Sequence, residues 1–158
     1  EHVMFKGTQT IDALDWEKEK PIYEKIIAKY DERAALSDPA AREAVDKEIN
    51  DLTREAAQYA AGNEFSLLVD HMGGQGLNAS TGYDQTEYHN SFPPSQLEKW
   101  LEIYSERLID PVFRGFQTEL EAVYEEYNMY NDDRGSRMRE FIYEHYRSPR
   151  TLEKSPIK

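Results

Sequence analysis

The sequence predicts an α+β fold: an antiparallel sheet with flanking helices, plus an inserted helical hairpin. Over residues 17–61 the apolar residues recur at steps of three and four, which is typical of amphipathic helices. Over residues 77–92 the period changes to two, which indicates half-buried strands. A helical stripe returns after residue 95, so helices are expected before and after the strand pair.

The composition is that of a globular domain with a strong acidic charge. The 158 residues suffice for one domain with a core, and eleven Tyr, six Phe and two Trp supply aromatic surface for burial. The net charge of −12 argues against nucleic-acid binding, because a phosphate-binding surface needs an excess of Lys and Arg. The negative electrostatic field would instead attract cationic substrates or metal ions, although such a charge also serves solubility.

The residue types exclude several kinds of site. The chain has no cysteine, so disulfides and thiolate zinc sites are excluded, and any metal must be held by His, Asp or Glu. No apolar run reaches the length of a membrane-spanning helix. No Walker-type loop, dinucleotide fingerprint or G-x-S-x-G motif is present.

The first elements are predicted to be an apolar helix end over residues 3–8, which Gly7 stops, and then a loop. Residues 17–61 are expected to form an αα-hairpin. Asp38 can cap its second helix, and Pro39 suits the first turn of that helix.

A third helix and two strands are predicted next. The helix runs from about residue 64 to 72 and ends at two glycines. Residues 77–81 suit a strand, and after a turn near Gly82 residues 85–92 alternate between two faces. The two strands are expected to pair antiparallel.

The remaining chain is predicted to be helical. Ser95 and Glu98 have the spacing of a capping box for a fourth helix. That helix places four side chains on one stripe: Leu97, Leu101, Tyr104 and Leu108. After an interruption at residues 111–113, a helix begins near Thr118, and another covers about 137–146, with a polar loop from residue 148.

Glu1 and His2 are candidate metal-site residues because of the six residues after them. The dipeptide alone is most simply a polar chain end. With Val-Met-Phe-Lys-Gly-Thr behind it, the dipeptide has the form of the end of an H-x-x-E-H zinc helix, in which two histidines four positions apart bind the metal. The first histidine would lie three positions before Glu1.

Glu119 and Glu126 form a second candidate pair. They lie seven positions apart and therefore share one helix face with Ala122. A solvated acidic helix is the simpler interpretation of this stretch. However, two acids on a small, partly apolar stripe also suit a metal ligand and an acid that supports it.

These features together resemble the insulinase/pitrilysin family of zinc peptidases, which are inverzincins. The family pairs its zinc helix with a distant glutamate that closes a stretch similar to E-x-x-A-V-x-x-E, here residues 119–126. Three further elements occur in the family's order: a Gly-Gly…Asn-Ala-x-Thr strand (73–81), a Thr-x-Tyr strand (86–88) and Pro-x-Phe (111–113). The order agrees over about residues 1–8 and 63–135.

The resemblance implies a Zn²⁺-dependent endopeptidase, with residues 1–158 as a partial catalytic domain. It implies that His2 and Glu126 are zinc ligands, that Glu1 is the catalytic general base and that Glu119 supports catalysis. A zinc-activated water would attack the peptide bond.

The resemblance also implies how a substrate binds. Asn78, Ala79 and Ser80 match the strand to which an extended peptide adds by main-chain hydrogen bonds. The expected partners are a peptide substrate and the remaining half of the peptidase. A location in the periplasm or cell envelope of a bacterium is expected.

The chain departs from the family pattern in three places. His2 and Glu126 are further apart than usual, and the hairpin at 17–61 accounts for the excess as an insertion. The first zinc-binding histidine is not in the sequence. The His-Pro-Tyr-Gly type of stretch expected past Arg139 is not found.

Two other interpretations stay open. A non-catalytic homologue would keep the fold as a binding or scaffold subunit, and the position three residues before Glu1 would then not be histidine. A helical interaction module centred on residues 17–61 would lose its partner when the hairpin is deleted, while peptidase activity would persist. The remaining histidines, His71, His89 and His145, have no ligand spacing and are expected to be ordinary surface or core residues.

Overall fold

The α+β fold is confirmed by the computed structural model, which describes residues 1–82 and 84–146. Within these ranges the helices are α1 (Trp16–Ala35), α2 (Pro39–Ala56), α3 (Glu64–His71), α4 (Leu97–Ile109), α5 (Phe116–Asp132) and α6 (Arg134–Tyr146). The strands are β1 (Gln75–Thr81) and β2 (Thr86–Ser91), which form one antiparallel pair. None of the described helices is long and apolar enough to cross a membrane.

The chain opens with a 3₁₀ turn at His2–Phe5, and Gly7 follows it as predicted. Gly7 has a φ of +88°, and a Cβ atom there would lie 2.3 Å from the carbonyl oxygen of Ile11. Only glycine fits this position without a shift of the backbone. The Gly7 carbonyl accepts a hydrogen bond from the amide of Val112 at 3.1 Å. This bond holds the N-terminal turn close to the segment that precedes α5.

The predicted αα-hairpin is present as α1 and α2. Asp38 caps α2 by accepting a hydrogen bond from the amide of Ala41 at 3.2 Å, and Pro39 is the first helical residue, as expected. Ile22 of α1 and Val45 and Ile49 of α2 are buried, which is consistent with the apolar steps of three and four. A short 3₁₀ turn at Ala57–Tyr59 then ends the hairpin.

The sheet follows α3 and is confirmed in position and direction. Asn78 pairs with His89 and Ser80 pairs with Glu87, with a register shift between Gln75 and Asn78. The close contact of the sheet with α3 depends on Gly74, where a Cβ atom would lie 2.5 Å from Cγ1 of Val69. Gly74 therefore permits the chain to turn directly from α3 into β1.

The predictions for α4 were wrong in two respects. A 3₁₀ turn at Pro94–Gln96 leads into the helix and no side chain caps it, so the proposed capping box of Ser95 and Glu98 does not form. The predicted stripe is also mostly exposed: Leu97 is 50% exposed, Leu101 is 52% exposed and Leu108 is 65% exposed.

Aromatic packing decides which face of α4 is buried. The ring of Trp100 stacks on Tyr104 with centroids 4.2 Å apart, and both donate hydrogen bonds to Oδ1 of Asn90, at 2.8 and 2.7 Å. Tyr104 and Arg107 are the buried residues of the helix. The inward face therefore contains residues 100, 104 and 107, and of the predicted stripe only Tyr104 points inward.

The core lies where α3, α4 and the loop after Gly7 meet. Its buried members are Ile11, Phe65, Val69, Met72 and Tyr104, and Phe5, Leu77 and Tyr88 pack against them. The ring of Phe5 packs edge-on against Phe65, with centroids 6.2 Å apart, as a core residue does.

The last two helices begin slightly before their predicted positions. The predicted start near Thr118 becomes Phe116, and the predicted start near Arg137 becomes Arg134. The break between them is reduced to Asp133, which accepts a hydrogen bond from the amide of Ser136 at 2.7 Å. The loop predicted from residue 148 lies outside the described residues.

Candidate metal centre

The fold brings His2 together with both candidate glutamates of α5. Nδ1 of His2 lies 3.2 Å from Oε2 of Glu119, and Nε2 of His2 lies 3.9 Å from Oε2 of Glu126. The two ring nitrogens therefore face two different carboxylates, which stand two helical turns apart on the same face of α5. If Nδ1 carries the proton and donates a hydrogen bond to Glu119, then Nε2 has no proton, and its lone pair on the side of Glu126 is available to a metal.

A lysine fixes the charge of Glu119. Nζ of Lys6 lies 2.6 Å from Oε1 of Glu119, on the carboxylate oxygen that does not face His2. Burial acts to raise the pKa of Glu119, but the hydrogen bond and charge of Lys6, together with His2, outweigh it. The pKa of Glu119 is therefore lowered, and its carboxylate is ionised at neutral pH. An ionised Glu119 is the form that accepts a hydrogen bond from His2.

Glu1 lies beside the end of the strand pair at which the turn connects β1 to β2. Its carboxylate accepts a hydrogen bond from Oγ1 of Thr81, the last residue of β1. Its backbone carbonyl accepts a hydrogen bond from the hydroxyl group of Tyr88 in β2, at 3.3 Å. The side chain of Glu1 is thus held next to the sheet, while the imidazole of His2 faces α5.

The residues predicted to bind substrate lie on β1. The side chains of Asn78 and Ser80 are exposed, and that of Ala79, which points to the other face, is partly buried. Among the described residues β1 pairs only with β2, on one of its two edges. The opposite edge of β1 presents main-chain groups with which an extended peptide can pair.

The described donor set fits part of a zinc site. His and Glu are ordinary zinc ligands, and two ligands at about 2.1 Å in tetrahedral geometry lie roughly 3.4 Å apart, close to the His2–Glu126 separation. Within the described ranges, no group of three or more His, Asp or Glu side chains is arranged to hold a metal ion. His2 and Glu126 therefore fit zinc as two members of a set that needs a further ligand.

Two buried charged residues near this centre were not predicted from the sequence. Glu19 of α1 is 1% exposed, and both its carboxylate oxygens accept hydrogen bonds from Arg114, at 2.6 and 2.8 Å. The same guanidinium also donates to the carbonyl oxygen of Lys6 at 3.0 Å. Arg107 of α4 is 1% exposed as well, and burial lowers the pKa of its guanidinium. Neither the sequence spacing nor the adjacent residues indicate that Glu19 or Arg107 is buried.

The other histidines do not join the candidate centre. His71 lines a groove of about 410 Å³ between α3 and α4, and His89 is exposed on β2. His145 stacks on Phe141 within α6. All three are exposed, which agrees with the expectation that they are ordinary surface or core residues.

Comparison with known protein families matches a large part of the chain. The model of a family described as Insulinase (Peptidase family M16) matches residues 40–157, which is more than half of the chain. The matched range includes β1, β2 and the α5 glutamates, and it begins after Glu1 and His2. No curated protein and no solved structure matches the chain.

Proposed function

Because the chain belongs to the insulinase family of peptidases, peptidase family M16, we propose that it is part of the catalytic half of a zinc-dependent endopeptidase. The observation that carries the proposal is the meeting of His2 with Glu126 and Glu119, which are far apart in sequence. Their approach is what a metal site formed by two distant elements requires. The third ligand would be the histidine expected three positions before Glu1.

In the proposed site each residue has a separate task. His2 and Glu126 hold the metal, and Glu119 orients the imidazole of His2 through Nδ1. When bound, zinc polarises the scissile carbonyl and makes water more acidic. Glu1 accepts the proton of the attacking water and passes it to the leaving amine. The hydroxyl group of Thr81, which donates to the Glu1 carboxylate, keeps that carboxylate at the end of β1.

The substrate is proposed to be an extended peptide or an unfolded segment. Its backbone would pair with the free edge of β1 at Asn78, Ala79 and Ser80. Because Glu1 is hydrogen-bonded to Thr81 at the end of the same strand, a peptide on this edge would pass close to the general base. The remaining half of the peptidase would supply the groups that hold the scissile carbonyl.

Two substitutions in the full-length protein test the assignment of the metal ligand and the base. Glu126→Gln should lose bound zinc, since it replaces an anionic ligand with a neutral amide. Glu1→Gln should retain zinc and lose peptide hydrolysis by about a hundredfold or more, since the amide cannot accept the proton. Zinc is measured by elemental analysis of the purified protein, and activity by cleavage of an unstructured peptide.

Glu125→Gln is the matched control, because Glu125 is the exposed neighbour of Glu126 on α5. It removes the same charge without touching His2 and should leave both zinc content and activity unchanged. A Glu126→Gln protein with full zinc occupancy would overturn the ligand assignment. An active Glu1→Gln protein would overturn the assignment of the base.

A further inference from the structure

Arg107 occupies an unusual place, since it is a fully buried cation surrounded by aromatic rings. Its guanidinium carbon lies 4.0 Å from the ring centre of Tyr88, 4.4 Å from that of Phe5 and 4.6 Å from that of Phe65. The ring of Tyr104 completes the surroundings at 5.4 Å. All four distances are within the range in which a cation is attracted to a ring face.

These rings come from different elements of the fold. Phe5 closes the N-terminal 3₁₀ turn, Phe65 belongs to α3, Tyr88 belongs to β2, and Tyr104 lies with Arg107 on α4. Phe5 and Tyr88 also contact each other, with ring centroids 5.8 Å apart. Arg107 therefore fills the point where the N-terminal turn meets the sheet and two helices.

Both rings closest to the guanidinium are connected to Glu1. The hydroxyl group of Tyr88 donates to the Glu1 carbonyl at 3.3 Å. The same carbonyl accepts a hydrogen bond from the amide of Met4 at 3.1 Å, inside the turn that Phe5 closes. A guanidinium packed against Phe5 and Tyr88 thus restrains both groups that hold the backbone of Glu1.

A flat cation can contact several of these rings at once. Its planar face can contact rings from several directions, and its attraction to them resists their separation. A flexible side chain such as Met would fill the volume but would leave Phe5 and Tyr88 freer to move apart.

We propose that Arg107 is a positioning residue: it holds Phe5 against Tyr88 and thereby fixes Glu1 and His2 relative to the sheet and α5. It does not touch the substrate or the metal site itself. The effect of Arg107 on catalysis rests on the proposed function. Its effect on the N-terminal turn can be measured without any enzymatic activity.

The first test is hydrogen exchange of the full-length protein carrying Arg107→Met. The amides of Met4 and Lys6, which donate within the 3₁₀ turn, should exchange about tenfold faster, while amides of α1 and α2 should not change. Arg107→Lys keeps the positive charge but lacks the planar guanidinium group, so it should restore part of the protection against hydrogen exchange.

Ile49→Ala is the control for general loss of stability, because Ile49 is buried in the hairpin away from this cluster. If Ile49→Ala accelerates exchange at Met4 and Lys6 as much as Arg107→Met does, the positioning role is wrong.

The second test compares steady-state kinetics of the zinc-loaded full-length protein at a temperature at which every variant is folded. Arg107→Met should lower kcat about tenfold with little change in KM, because the base is displaced while the peptide-binding strand is intact. Arg107→Lys should lie between Arg107→Met and the unaltered protein, and Ile49→Ala should leave kcat unchanged.

The two tests separate the two proposals. If the unaltered protein cleaves no peptide, the proposed function fails, and the exchange measurement still decides whether Arg107 holds the turn. If exchange accelerates but kcat does not fall in an active enzyme, the positioning role in catalysis is wrong.

Discussion

At the scale of single residues, the chemistry of the candidate centre depends on one relay of charged groups. Lys6 holds one oxygen of Glu119, and the other oxygen of Glu119 faces Nδ1 of His2. Because His2 uses Nδ1 in this way, its Nε2 is directed to the side of Glu126. In the proposed site, Lys6 and Glu119 would orient His2 for metal binding without contacting the metal themselves.

The lowered pKa of Glu119 predicts a pH dependence of stability. A carboxyl group whose pKa falls on folding stabilises the fold above its ordinary pKa of 4.5, and this contribution is lost as the pH falls through the lowered value. Lys6→Met should reduce the free energy of unfolding near neutral pH by about 0.5–1 kcal/mol, since the pair is partly exposed. The reduction should disappear in acid, where Glu119 is protonated in both proteins.

Urea unfolding of Lys6→Met and the unaltered chain, followed by circular dichroism at neutral and acidic pH, measures this difference. Lys20→Met is a suitable control, because Lys20 is exposed on α1 and lies outside the relay. Equal losses for Lys6→Met at both pH values would contradict the linkage to Glu119.

At the scale of elements, the αα-hairpin is attached to the rest of the fold by specific contacts. Glu19 of α1 forms a bidentate ion pair with Arg114, just before α5. The ring of Tyr30, also in α1, packs edge-on against Phe116 at the start of α5, with centroids 5.5 Å apart. The hairpin therefore helps to place α5, the helix that carries both candidate glutamates.

Breaking the buried ion pair should be strongly destabilising. Glu19→Gln leaves the mostly buried guanidinium of Arg114 without its carboxylate, and the free energy of unfolding should fall by about 3–5 kcal/mol. Glu17→Gln, on the exposed side of the same helix, should change it by less than about 0.5 kcal/mol. Chemical unfolding of the two variants measures both values.

The same ion pair bears on the alternative in which the hairpin is only an interaction module. If the hairpin were such a module, its deletion would leave peptidase activity unchanged. Arg114 also donates a hydrogen bond to the carbonyl oxygen of Lys6, whose side chain pairs with Glu119. Loss of the Glu19 carboxylate should therefore disturb Lys6 and, through it, Glu119. A Glu19→Gln protein with unaltered stability would contradict the view that the hairpin supports the candidate centre.

At the scale of the whole molecule, the candidate centre joins the first residues of the chain to a helix near its other end. Glu1 is held by the sheet, and His2 faces α5. The described residues contribute two of the proposed zinc ligands, His2 and Glu126. We therefore expect the 158-residue chain alone to bind zinc weakly and to cleave no peptide, because tight sites need at least three protein ligands.

Isothermal titration of the isolated chain with zinc, beside the full-length protein, measures this expectation. The affinity of the isolated chain should be lower by about a hundredfold or more, and Glu126→Gln should lower it further. Zinc that stays bound to the isolated chain through dialysis against a chelator would show that the set of ligands is different.

The sequence by itself determined the order and type of the elements, and it predicted the residues of the candidate centre. Helical periods, the cap at Asp38 and the alternation of the strands are local signals, so they can be recognised without knowledge of the fold. The resemblance over short motifs likewise selected His2 and Glu126 without any structural information.

Only the tertiary structure decided which face of α4 is buried and how the centre is supported. The leucines of α4 formed a plausible stripe, but stacking of Trp100 on Tyr104 and the rings around Arg107 turned the adjacent face of the helix inward. Likewise, Glu19 is buried because Arg114 meets it from a distant part of the chain. Such burial depends on partners far away in sequence, and local patterns carry no information about them.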